Sequence, residues 1–208
     1  MEELVTKNNG IKKLKVMNKY YDPVKYWNER IKLYGFVNTR ATEITAMEYD
    51  FCHKYINNGD KVLDYGVGDG KLFPVYQEKQ CEVIGYDIAN WLTYEHCKDY
   101  NFPFKYLLSN TVRILTEFEN KSFDVVVCFG VLLHVRPDDI MMVINDICRL
   151  GKKCIFTTHS DLNAVKIDEN TNINKHCFNH DYELIFKKLD VIPELYEYVA
   201  DTTLLIVI

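Results

Sequence analysis

The chain has 208 residues, 48% hydrophobic and 26% charged, with a net charge of −5. That length suits one domain around a sizeable core; the apolar and aromatic content excludes a disordered chain, and nine glycines, five prolines and no recurring period exclude collagen-like and repeat architectures. The acidic balance argues against a protein that grips nucleic acid through phosphates, and no apolar run approaches the roughly 20 residues of a bilayer span.

The N-terminus has no leader-like apolar stretch, so a soluble cytoplasmic protein with no membrane partner is expected. Its seven cysteines include no C-x-x-C pair and read as reduced, buried thiols. Residues 1–20 carry five lysines against Glu2 and Glu3 and read as a solvated arm, which leaves the rest more acidic than the total. Asp22-Pro23 supplies an N-cap and a first helical residue. Val24, Trp27, Ile31 and Tyr34 then recur at helical spacing up to Gly35, which makes Trp27 a core residue. A second helix is expected from about Thr42 to Ile56, ending at Asn57-Asn58-Gly59.

From Lys61 the period changes. Strands are expected at 61–65, 82–86, 104–108, 123–128 and 153–158, with helices near 72–80, 89–99 and 138–150. That alternation calls for a parallel sheet covered on both faces. A helix at about His180–Leu189 leads to strands at 194–199 and 203–208. The short turn at Ala200-Asp201 joins them as an antiparallel hairpin, so the sheet ends in a reversed edge. Residues 1–60 are then an arm and cap helices, and 61–208 a single core. His176-Cys177-x-x-His180 is spaced like metal ligands but has no second ligand pair, and it reads as coincidence.

The segment most informative about chemistry is Val62-Leu63-Asp64-Tyr65-Gly66-Val67-Gly68-Asp69-Gly70, between a buried strand and a helix. Such a loop lets a ligand approach the backbone. Lys71 stands where a dinucleotide fingerprint needs glycine, and Gly70-Lys71-Leu72 lacks the P-loop ending. What remains, apolar-apolar-Asp-x-Gly-x-Gly-x-Gly, resembles motif I of the class I S-adenosylmethionine-dependent methyltransferases. Tyr86-Asp87 ends the next strand, and Phe123-Asp124 through Val131-Leu132-Leu133-His134-Val135 is similar to that family's fourth-strand segment.

The resemblance implies a Rossmann-like α/β fold: a doubly wound seven-stranded sheet, mostly parallel with an antiparallel last strand. It also implies S-adenosylmethionine as cofactor and S-adenosylhomocysteine as product. Asp64 with the loop Gly66, Gly68 and Gly70 would hold the methionine end, and Asp87 the ribose. Ile88 would lie on the adenine, and Ser109 or Asn110, where relatives often carry an acid, would reach its edge. Phe129 and Gly130 would border the methyl donor. His134 and His159, at C-terminal strand ends, are the candidate general bases.

The chain lacks the Asn/Asp-Pro-Pro-Tyr/Phe segment of base and glutamine N-methyltransferases. It also lacks aspartates at the ends of the fourth and fifth strands, where metal-dependent catechol-type enzymes carry them. A metal-independent enzyme acting on a small molecule is expected, at a hydroxyl, with a sugar or nucleotide-linked sugar inside that class. The acceptor walls would come from the N-terminal helices and the loop Asp161–His180, with Tyr26, Arg30 and Arg40 as candidate contacts. Aminopropyl transfer from decarboxylated cofactor, and a non-catalytic cofactor-binding subunit, are the alternatives. Oligomeric state is not legible.

Overall fold

The computed structural model of the chain describes residues 21–34, 42–90, 99–113, 118–159, 177–200 and 203–208. The arm at 1–20, Arg40, residues 91–98 of the helix expected near 89–99, and residues 160–176 of the loop lie outside the described residues.

Two helices precede the sheet, α1 at Pro23–Tyr34 and α2 at Thr42–Tyr55. Asp22 caps the first, its carboxylate accepting from the Lys25 amide at 3.1 Å. The strands are β1 Lys61–Tyr65, β2 Glu82–Asp87, β3 Phe104–Leu108, β4 Phe123–Phe129, β5 Gly151–His159, β6 Leu195–Ala200 and β7 Thr203–Val207. Between them run α3 (Phe73–Glu78), a 3₁₀ turn (Leu132–His134), α4 (Ile140–Leu150) and α5 (Tyr182–Lys188). Asp181 caps α5 by accepting from the Leu184 amide at 2.9 Å.

The sheet order is β3-β2-β1-β4-β5-β7-β6. The pairs among β1 to β5 are parallel, and β7 is antiparallel to both neighbours. The reversed strand therefore lies inside the sheet, not at the expected edge. The hairpin folds inward: β7 is wholly buried and pairs with β5, leaving the half-exposed β6 as the margin. A strand buried at every position gains more from two neighbours than one with alternating polar groups.

Period-two alternation divides the core into two layers. Val125, Val127 and Phe129 of β4 face one way and pack with Cys52 and Ile56 of the α2 end and Phe73, Val75 and Tyr76 of α3. Val126 and Cys128 face the other way, against Ile140, Val143, Ile144 and Ile147 of α4 and Tyr182 and Phe186 of α5. Helices thus cover both faces, as the strand–helix alternation requires. Because β1 leads to β2 on one side and β4 leads to β5 on the other, a crevice opens above their C-terminal ends. In doubly wound sheets ligands bind at such a switch point. Among the described residues no helix is long and apolar enough to cross a membrane, and Cys52, Cys81, Cys128, Cys148, Cys154 and Cys177 are free thiols.

Candidate active site

The crevice is a cavity of about 610 Å³, inside the range of roughly 300–1,000 Å³ typical of small-molecule sites. Its floor is the glycine loop. The amides of Gly66 and Val67 donate to the Tyr86 carbonyl at 2.7 and 3.2 Å, stitching the loop to β2. Gly66 has φ +81°, and a Cβ there would lie 2.3 Å from Val131 Cγ2, so only glycine lets the loop meet the segment after β4. Gly68, at φ +57°, has only the Gly66 carbonyl within reach of a Cβ, at 3.9 Å: its open side faces the cavity. Gly70 packs on the Phe73 ring and does not line the cavity.

Two buried carboxylates border this floor. Asp87, ending β2, is 7% exposed; its oxygens accept from the Gly68 amide at 2.9 Å and the Ala89 amide at 3.0 Å. Burial pushes its pKa up to about 6, against the pull of those backbone donors. Asp64, on β1, is 4% exposed and accepts from the Tyr76 hydroxyl at 3.0 Å. Burial raises its pKa to about 7; the Tyr76 hydrogen bond and the Lys71 charge oppose the rise, and the Asp87 and Glu48 charges add to it. A ligand bringing a cation to Asp64 and hydroxyls to Asp87 satisfies both.

The roof comes from α1 and from the ends of β4 and β5. The Asn28 amide donates to the Ile88 carbonyl at 3.1 Å, fastening α1 over the end of β2. Trp27 consequently lines the cavity, edge-on to His134 with ring centroids 4.8 Å apart. It is half-buried, which corrects the expectation of a core residue: of the helically spaced positions Val24, Trp27, Ile31 and Tyr34 of α1, Trp27 is the one that lines the cavity. Arg30 also lines the mouth, its guanidinium 5.8 Å from the Trp27 ring centre. His134 closes the 3₁₀ turn with Nδ1 3.6 Å from Cys177 Sγ, and His159 ends β5 at the same cavity. Phe129, Gly130, Ile88 and Val112 complete the apolar walls.

Some sequence candidates stand apart. Ser109 and Asn110 do not line the cavity. The Ser109 amide donates to the Asp87 carbonyl at 2.8 Å and its hydroxyl accepts from the Thr111 amide at 3.2 Å, a turn that delivers Val112 to the wall instead. Tyr26 packs on the Tyr21 and Trp27 rings outside the lining. Arg40 lies outside the described residues. Cys177 and His180 diverge: His180 is buried with Nε2 3.0 Å from the Val135 carbonyl, and burial lowers its pKa. Among the described residues no group of three or more His, Cys, Asp or Glu is gathered as for a metal.

One cluster was missed. Glu48 of α2 is 1% exposed; it pairs with the Lys71 ammonium and accepts from the Thr157 hydroxyl at 3.0 Å, and all three residues line the cavity. A signal existed. Glu48 shares the i, i+4 stripe of Ile44, Cys52 and Ile56, and an acid on a buried stripe needs a partner.

Glycine loop, paired carboxylates and a switch-point cavity between β1 and β4 are the arrangement of a class I S-adenosylmethionine-dependent methyltransferase. Solved structures agree on the fold. The PH0226 protein from Pyrococcus horikoshii OT3 superposes with a TM-score of 0.62 at 20% identity, over 86% of this chain and 97% of that one. Magnesium protoporphyrin IX methyltransferase from Synechocystis PCC 6803, with bound S-adenosylmethionine, gives 0.63 at 14% identity, over 91% and 98%. The 1,6-didemethyltoxoflavin-N1-methyltransferase of Burkholderia thailandensis, with its substrate and S-adenosylhomocysteine, gives 0.59 at 15% identity, over 78% and 76%. No curated protein matches the sequence. Residues 37–186 match the family model described as a methyltransferase domain, and the chain belongs to that family.

Proposed function

We propose that the protein transfers a methyl group from S-adenosylmethionine to a hydroxyl of a small-molecule acceptor, without a metal. The observation that carries the reading is the pair of buried carboxylates, Asp64 and Asp87, on the floor of one cavity whose opposite wall holds Trp27, His134 and His159. The bound cofactor supplies an electrophilic methyl on a sulfonium.

The chain's own residues do the rest. Asp64 takes the ammonium, Asp87 the two ribose hydroxyls, and the Gly66–Asp69 backbone lets the ligand lie close. Ile88 and Val112 hold the adenine between them, a role the Ser109–Asn110 turn leaves to Val112. Phe129 and Gly130 border the methyl group. In-line displacement needs acceptor, carbon and sulfur aligned, which is worth roughly 7–11 kcal/mol when the groups are pre-positioned. α1 covers the mouth and keeps water out, with residues 1–60 acting as the cap on the 61–208 core. His134, or His159 beside it, accepts the proton of the acceptor hydroxyl. Arg30 at the mouth suits an acceptor that carries a phosphate or carboxylate, as a nucleotide-linked sugar does.

The test is a calorimetric titration with S-adenosylmethionine and its decarboxylated form, followed by an acceptor screen reading release of S-adenosylhomocysteine. Micromolar binding of the intact cofactor and acceptor-dependent release are expected. Preference for the decarboxylated form would move the chain to aminopropyl transfer, and tight binding with no release for any acceptor would make it a binding subunit.

A further inference from the structure

The glycine loop and two carboxylates account for the ammonium and the ribose of the cofactor, but not for the Glu48–Lys71–Thr157 cluster in the same cavity. A buried glutamate on a cap helix is costly unless its charge is compensated. Here Glu48 accepts from Thr157 Oγ1 at 3.0 Å and pairs with Lys71 Nζ, and the Tyr49 hydroxyl donates to the Lys71 carbonyl at 2.7 Å, fixing the backbone that carries the lysine. Lys71 follows the glycine loop directly and lies within electrostatic reach of Asp64, whose pKa it pulls down.

Charge alternation along this floor is complementary to an amino acid. Asp64 is negative, Lys71 positive and Glu48 negative. An ammonium at Asp64 leaves a neighbouring carboxylate facing Lys71, so that Lys71 lies between two anions. The three side chains sum to one negative charge, and a cofactor with sulfonium, ammonium and carboxylate sums to one positive. Glu48 has a definite part: it pairs with the Lys71 ammonium and is itself bonded by Thr157, which fixes where the positive charge lies on this floor.

We propose that Lys71, held by Glu48, which Thr157 in turn bonds, binds the cofactor carboxylate and makes the site select the intact amino-acid end over its decarboxylated form. The proposal rests on the S-adenosylmethionine reading and deepens it. Loss of a charge-assisted contact in a desolvated site corresponds to roughly 10- to 100-fold in affinity.

The experiment is a set of calorimetric titrations with three probes: S-adenosylmethionine, decarboxylated S-adenosylmethionine and 5′-methylthioadenosine, which lacks the amino-acid end. The proteins are wild type, Lys71→Met, Lys71→Arg and the double variant Lys71→Met/Glu48→Gln, which removes the charge Lys71→Met would strand. Wild type should favour the intact cofactor over the decarboxylated one by tenfold or more. Lys71→Met and the double variant should weaken the intact cofactor alone by at least tenfold, leave methylthioadenosine within twofold, and erase the preference. Lys71→Arg should restore part of it. Equal weakening of all three probes, or an unchanged preference in the double variant, overturns the role of Lys71. Failure of wild type to bind methylthioadenosine or either cofactor overturns the cofactor reading itself.

Discussion

At the scale of single residues, Asp87 carries the most consequence. Its oxygens accept from the Gly68 and Ala89 amides, with the Ile88 amide acting on it as well, and the directions that remain of a carboxylate's roughly four lone-pair sites suit a diol. Asp87→Ala removes the two contacts proposed for the ribose and strands the Gly68 amide, so S-adenosylmethionine affinity should fall by more than 100-fold, at about 1.5–3 kcal/mol per charge-assisted bond. A titration finding micromolar affinity in that variant refutes the placement of the ribose. Asp64, Asp87 and the loop glycines were readable because strand, turn and carboxylate stand at fixed offsets in the chain. Glu48 and Thr157 were not, since 109 residues separate them and no local spacing announces such a contact. Ser109 and Asn110 were misdirected by one turn: a hydroxyl-to-amide bond bends the chain so that Val112, two residues on, reaches the wall.

At the scale of elements, α1 is attached where it matters for function. One side-chain tie is Asn28, which donates to the Val24 carbonyl at 2.8 Å and, just past β2, to the Ile88 carbonyl at 3.1 Å. Trp27, Arg30 and Pro23 of the same helix line the cavity. A hydrogen bond of this kind nets about 0.5–1.5 kcal/mol. Asn28→Ala should therefore raise amide hydrogen exchange across residues 23–34 by roughly tenfold while leaving β1 and β4 protected. Equal acceleration in the strands would mean that Asn28 supports the whole fold and not the cap. The helix and its N-cap were legible from Asp22-Pro23 and the apolar spacing, but periodicity cannot say what a stripe faces. An aromatic ring at a cavity mouth and one in packed core share the same spacing, which is why Trp27 read as core. The hairpin was legible for the same reason that its position was not. A short turn dictates antiparallel pairing between β6 and β7, whereas which of them joins β5 depends on the burial of Thr203–Val207.

At the scale of the whole molecule, the buried carboxylates link folding, ligand and pH. Asp64 and Asp87 have ordinary carboxyl values of 3.8 that burial raises to about 7 and about 6. A carboxyl with a higher pKa folded than unfolded binds more protons in the folded state. Its contribution is favourable below that window and is lost as pH rises from about 4 to about 7. The ligand-free protein therefore gives up stability from these two groups between pH 5 and 7.5, because both charges must form out of water. In the proposed arrangement the cofactor ammonium would reverse that cost at Asp64 by favouring the ionised carboxylate, so binding should release protons and strengthen with pH. With a pKa near 7, affinity should be roughly 10- to 30-fold weaker at pH 5.5 than at pH 8. Thermal melts at pH 5.5, 6.5 and 7.5 read both effects, and the rise in Tm on adding S-adenosylmethionine should grow across the series. Asp64→Asn removes the titrating group: its ligand-free Tm at pH 7.5 should exceed that of wild type, and its smaller cofactor-induced rise should vary less with pH. A rise in wild type that is equal at all three values would show that Asp64 takes up no proton in the ligand-free protein over this range, and would overturn the proton release expected on binding.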